Sequence, residues 1–166
     1  MNALWSYFWP VFGAGLLAGV VAGSFAFRRR TKRLVLLASG VAASILLAAL
    51  WHGPLGGADR FETTVQADIQ KTLAYYEMTR VTGHLHRNPL TRRVLLSGPA
   101  DDFQRQGLVG FMNQIPGVSG TSWSSDGGGT PLIAEGFAIA LLGFLFGLLL
   151  AYLVELRRRY NAQWNW

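Results

Sequence analysis

The sequence predicts an α-helical membrane protein with three transmembrane helices and a small α+β domain, of order α-β-β-α-β, between the second and third. Three observations predict it. Almost uncharged runs occupy residues 4–27, 34–51 and 132–154; at about 1.5 Å rise per residue the shortest covers roughly 27 Å, close to the hydrocarbon thickness of a bilayer. Eight of the fifteen Lys and Arg residues fall in two bursts, Arg28, Arg29, Arg30, Lys32, Arg33 and Arg157, Arg158, Arg159, each abutting such a run. The stretch from Gly53 to Thr130 carries seven basic against seven acidic side chains. The net charge of +6 is therefore the eight cluster charges less Glu135 and Glu155. Neither burst has a folded domain to present it, which argues against nucleic acid as a partner and for membrane lipids.

Residues 1–52 read as a transmembrane hairpin, helices 4–27 and 34–51 joined by the loop 28–33. No Lys or Arg precedes the first run and the basic cluster follows it, the reverse of a cleaved signal peptide, so a span entering N-terminus first is expected. Pro10 falls in the outer part, where a kink or a helix start costs little. Lys and Arg beside span ends mark the cytoplasmic side. The N-terminus and the middle domain (residues 53–130) are thus expected outside, with the loop 28–33 and the tail 157–166 on the cytoplasmic side. The third helix, 131–156, returns the chain. Trp5, Tyr7, Trp9 and Trp51 gather at one interface and Tyr152, Tyr160, Trp164 and Trp166 at the other, as amphipathic rings do.

Small residues recur at helical spacing in all three spans: Gly15, Gly19 and Gly23; Gly40, Ser44 and Ala48, with Ala38 and Ala42 alongside; and Gly136, Ala140, Gly143, Gly147 and Ala151. Helices in lipid meet where small side chains let backbones approach. Two of these stripes suffice to pack three helices, so the third, with Phe137, Phe144, Leu145 and Phe146 on other faces, is expected to offer surface to other integral membrane subunits.

In the middle domain, Phe61, Val65, Ile69 and Leu73 repeat every four residues and predict a helix from Phe61 to about Tyr75. Met78 to His86 alternates as a strand, with Val81, Gly83 and Leu85 on one side and Arg80, His84 and His86 on the other. Arg87-Asn88-Pro89-Leu90 signals a turn, and Arg92 to Ser97 a second strand ended by Gly98-Pro99. Asp101 and Asp102 suit the positive end of a helix dipole. Phe103, Leu108, Phe111, Met112 and Ile115 are expected as that helix's buried stripe. Pro116-Gly117 stops it before a third strand, Val118 to Trp123. Gly53 to Gly57 and Gly127 to Gly129 read as short tethers.

That order of elements, with Val94-Leu95-Leu96-Ser97-Gly98, Asp101-Asp102-Phe103-Gln104-Arg105 and Ile115-Pro116-Gly117-Val118, resembles the BON domain of bacterial envelope proteins over about residues 58–124. The chain departs from that family at the Arg87 to Thr91 connection, where an Asp-Gly or Asn-Gly hairpin is usual. The resemblance implies a docking module in contact with lipid or protein surfaces, and no catalysis.

The chemistry-bearing residues point the same way. The helix interiors lack Asp, Lys, Arg and His, which argues against a proton-coupled transporter. His52 closes the second span, and His84 and His86 share a strand face without a third ligand or any cysteine, so neither a metal nor a cofactor is expected. Ser97-Gly98 lacks the pattern of a nucleophile elbow, and the glycine run lacks a phosphate-loop lysine. The expected function is a non-enzymatic accessory or scaffold subunit of an inner-membrane complex, respiratory or photosynthetic. The alternative is a self-standing envelope protein whose BON-like domain binds anionic phospholipid, or another periplasmic protein, through Arg80, Arg87, Arg92 and Arg93.

Overall fold

The structure, a computed structural model, describes residues 2–28, 32–123 and 128–163. Its elements are α1 (Ala3–Ala26), α2 (Arg33–His52), α3 (Gly57–Tyr75), β1 (Thr82–Arg87), β2 (Leu90–Ser97), α4 (Asp102–Met112), β3 (Gly120–Ser122) and α5 (Leu132–Gln163). The chain divides into two compact units, Met1–Tyr7 with Gly56–Glu135, and Phe8–Leu55 with Gly136–Trp166. Helices α1, α2 and α5 are each long and apolar enough to cross a membrane.

In the helical unit, Val11, Ala48 and Ala140 are buried together, with Trp51, Phe137 and Ile139 packed against them. Helix α5 overruns its predicted end and carries the basic cluster, so the expected tail is helical as far as Gln163. Hydropathy stops at Glu155, but helical bonding does not. Glu155 faces Arg158 at i+3 and Arg159 at i+4, pairs that favour the helix past the last apolar residue.

The globular unit is a three-stranded sheet in the order β1-β2-β3. β1 and β2 are antiparallel, with Gly83 opposite Leu96 and Leu85 opposite Val94. β3 runs parallel to β2, with Arg93 opposite Gly120 and Leu95 opposite Ser122. A parallel neighbour needs a crossover, and α4 supplies it. Helix α3 buries Phe61, Val65, Ile69 and Leu73, the predicted stripe, and Tyr7 at the chain's start meets Phe61 edge-on at 5.8 Å. Gly83 is required where β1 passes α3: a Cβ there would lie 2.9 Å from Ile69 Cγ2 and 3.0 Å from Leu96 Cδ2. Gln66 Nε2 also donates to the Gly83 carbonyl at 2.7 Å.

Boundaries shift for local reasons. α3 begins four residues before Phe61, after Gly56 in the left-handed region (φ 72°). Residues 78–81 turn rather than extend, Val81 N–H donating to Met78 O, so β1 starts at Thr82. The β1–β2 connection is tight, Asn88-Pro89 with a cis peptide, and the register shifts between Leu85 and Arg87. β3 is confined to three residues because Val118 N–H still bonds back to Ile115 O. Asp101 caps α4: its carboxylate accepts from Gln104 N–H at 2.7 Å while Gln104 Oε1 accepts from Asp101 N–H at 3.2 Å. Leu108, Met112 and Ile115 are buried as expected, whereas Phe103, 87% exposed, and Phe111, 37% exposed, lie outside the buried core.

Candidate functional site

All eleven small residues singled out in the spans are buried, and within the chain itself: Gly15, Gly19, Gly23, Gly40, Ser44, Ala48, Gly136, Ala140, Gly143, Gly147 and Ala151. α1 and α5 meet backbone to backbone. A Cβ on Gly15 would run into Ala140 O and one on Gly19 into Phe144 O, while those on Gly143 and Gly147 would strike Phe12 O and Leu16 O. Near the end of α1, a Cβ on Gly23 would lie 2.7 Å from Ala151 Cβ. α2 joins through Gly40, where a Cβ would lie 2.8 Å from Phe144 Cε2. Ser44 satisfies its buried hydroxyl by donating to Gly40 O at 2.9 Å. These eleven residues are thus covered by the chain's own helices, whereas Ala38 and Ala42, beside the α2 stripe, are exposed. What faces outward is large and apolar, including Leu17, Val21 and Phe25 on α1, Leu34, Val35 and Leu46 on α2, and Leu145, Phe146 and Leu149 on α5.

The four arginines expected to form a basic edge are dispersed. Arg87 is paired with Glu62 on α3, Nε to Oε1 at 2.7 Å. Arg92 Nη1 lies 3.0 Å from Glu135 Oε2, with side-chain exposures of 22% and 24%. Glu135, in the first turn of α5, is thus held by a residue 43 positions away. Arg93, the next residue on β2, points to the opposite face by strand alternation and lies along Gly129 and Gly120. Arg80 is exposed. With two of the four in ion pairs and Arg92 and Arg93 diverging, a continuous basic edge does not form. α3 lies against β1 and α4 against β3. The other sheet face carries Thr82, His84, His86, Arg93, Leu95 and Ser97; His84 is exposed and His86 Nδ1 lies 2.9 Å from Pro89 O. His52 is half-buried at the end of α2.

An aromatic groove on the globular unit was not legible in the sequence. Tyr76 stacks on Phe111 with centroids 4.1 Å apart and planes 13° apart, and Tyr75 meets Tyr76 edge-on at 5.1 Å. These rings border an open groove of about 500 Å³ that also takes in Asp68, Lys71, Gln114 and Pro116. Tyr75 is 81% exposed. The groove joins the C-terminal ends of α3 and α4, whose closeness no local pattern encodes.

At the basic end of the helical unit, the Glu155 carboxylate lies 3.2 Å from Arg159 Nε, 3.9 Å from Arg158 Nη1 and 4.0 Å from Arg28 Nε. The Arg33 guanidinium lies over the Phe27 ring at 5.4 Å, and Phe27 packs edge-on against Tyr152 at 5.8 Å. Arg159 Nη2 reaches Phe27 O at 3.5 Å. These groups, with Ala26 and Leu156, line a cleft of about 200 Å³. Lys32 and Arg157 are exposed nearby in sequence. Arg29, Arg30, Trp164 and Trp166 lie outside the described residues. No protein-family model, curated protein or solved structure matches this chain.

Proposed function

We propose that this chain is a non-enzymatic accessory or scaffold subunit of a bacterial inner-membrane assembly, respiratory or photosynthetic. In this reading α1, α2 and α5 are the spans, the globular unit and N-terminus are periplasmic, and the basic ends of the helices are cytoplasmic. The globular unit is a BON-like docking module, a relationship supported by its helix-strand-strand-helix-strand order and the three sequence stretches noted above. Because the small-residue stripes are occupied within the chain, docking falls to the large outward side chains of the helices and to the globular unit.

The observation that carries the reading is the stacked Tyr76–Phe111 pair with Tyr75 exposed beside it. Clustered exposed rings mark surfaces that a protein partner covers, and aromatic residues dominate the centres of interfaces. The alternative, anionic lipid held by the globular unit, is weakened by the ion pairs of Arg87 and Arg92. In mild-detergent extracts of native membranes, the chain is expected to comigrate with a much larger complex, and Tyr75→Ala/Phe111→Ala to shift it towards the free form. A monomer in native gels with no crosslinked partner would refute the proposal.

A further inference from the structure

We propose that the cleft between the ends of α1 and α5 and the start of α2 binds the phosphodiester headgroup of an anionic phospholipid. Arg33 and Arg159 are its anion ligands, and Tyr152 and Leu156 are the bed for the first acyl methylenes. The inference rests on reading the three helices as membrane spans.

Charge comes first. Arg28, Arg33, Arg158 and Arg159 surround a single carboxylate, Glu155, so four positive charges against one negative leave three uncompensated. Glu155 is mostly covered, with 18% of its side chain exposed, and it touches three of the four guanidiniums. It fixes their direction without neutralising them. Arg33 is fixed differently, by its position over the Phe27 ring. A planar guanidinium held in place presents its N–H groups as a fork matched to phosphate oxygens, and such charge-assisted bonds are the strong ones.

Size and surroundings then choose the anion. The cleft holds about 200 Å³, room for roughly six waters and hence for a phosphodiester group. One wall is apolar, made by Ala26, Phe27, Tyr152 and Leu156. On α5, Tyr152, Leu156 and Arg159 stand at i, i+4 and i+7, so a single helix face runs from ring to aliphatic chain to guanidinium. Leu156 and Arg159 also border a second cleft of about 570 Å³ with Leu153, Arg157 and Tyr160, which continues the same mixed surface. A free inorganic anion would use only the guanidiniums. A lipid uses both halves, its phosphate at Arg33 and Arg159 and its chains along Leu153 and Leu156, both about half exposed. Basic pockets between helices on the cytoplasmic side suit anionic headgroups on these physical grounds.

The test uses the purified full chain in dodecyl maltoside micelles doped with phosphatidylglycerol or phosphatidylcholine. Phosphatidylglycerol is expected to raise the thermal midpoint, and phosphatidylcholine at equal content to leave it unchanged. Arg33→Ala/Arg159→Ala should need at least about tenfold more phosphatidylglycerol for the same rise, since two charged hydrogen-bond donors are lost. Arg80→Ala, on the globular unit, should respond as the wild type does. An equal response to both lipids, an undiminished response in the double variant, or the same rise from inorganic phosphate alone would overturn the inference. Should the double variant fail to fold, native mass spectrometry of the wild type decides: phosphatidylglycerol surviving activation that strips phosphatidylcholine supports the site, and loss of both at one energy refutes it. Carbonate extraction separates the two levels of failure. A chain released to the soluble fraction sinks the span reading, whereas a membrane-retained chain indifferent to headgroup charge sinks only the lipid site.

Discussion

In the helical unit the tightest approaches are between main chains, at Gly15, Gly19, Gly143 and Gly147; in the globular unit the core is built from full-sized side chains, Phe61, Val65, Ile69, Leu85, Val94 and Leu96. The same chain therefore uses two packing chemistries. Removing apolar side chains from water drives the second. On the proposed reading of these helices as membrane spans, that drive is absent between them and dispersion at close range takes over, which rewards the lack of a side chain. Residue size thus has opposite consequences in the two units.

The contrast is broken most severely by adding bulk to the glycine seam. Gly147→Leu places carbon where Leu16 O, Val20 N and Gly19 Cα already lie, and main chain cannot rotate aside. Its cost should exceed the roughly 1–3 kcal/mol of ordinary overpacking, seen as loss of a cooperative thermal transition in detergent. Gly13→Ala, with open space around its Cβ, should leave that transition intact. The opposite change tests the globular unit: Ile69→Ala should cost about 2–5 kcal/mol, read by hydrogen exchange across α3 and β1. Next comes Arg92→Ala, which leaves Glu135 partly buried and unpaired; about 1–3 kcal/mol is expected, and a double-mutant cycle with Glu135→Gln should recover a coupling. The smallest effect is Asp101→Ala, about 1 kcal/mol from the lost cap of α4, visible as faster exchange in its first turn. A larger loss from Asp101→Ala than from Ile69→Ala would overturn the ranking.

What the sequence disclosed follows the range of the interactions involved. The three long apolar helices follow from uninterrupted runs, and the α3 stripe and the inward side of β1 from spacings of two to four residues; each is found where that local pattern puts it. Phe103 lies outside the core because it precedes Leu108 by five positions, about 140° round the helix from it. The apolar run ends before α5 does because hydropathy tracks solvent preference and not main-chain bonding. The eleven small residues were legible as a packing surface, but not that the surface closes on the chain itself. The Arg87–Glu62 and Arg92–Glu135 pairs, 25 and 43 residues apart, and the Tyr76–Phe111 stack depend on the finished fold and leave no local trace.

The seam joins the first helix to the last. During synthesis, at elongation rates of about 5–20 residues per second, α1 leaves the ribosome on the order of ten seconds before α5. For that interval its glycine face has no complementary helix, so the bundle closes only once α5 has been made. Any nascent chain truncated before residue 132 would carry an unfinished α1 surface, a ready substrate for quality-control proteases.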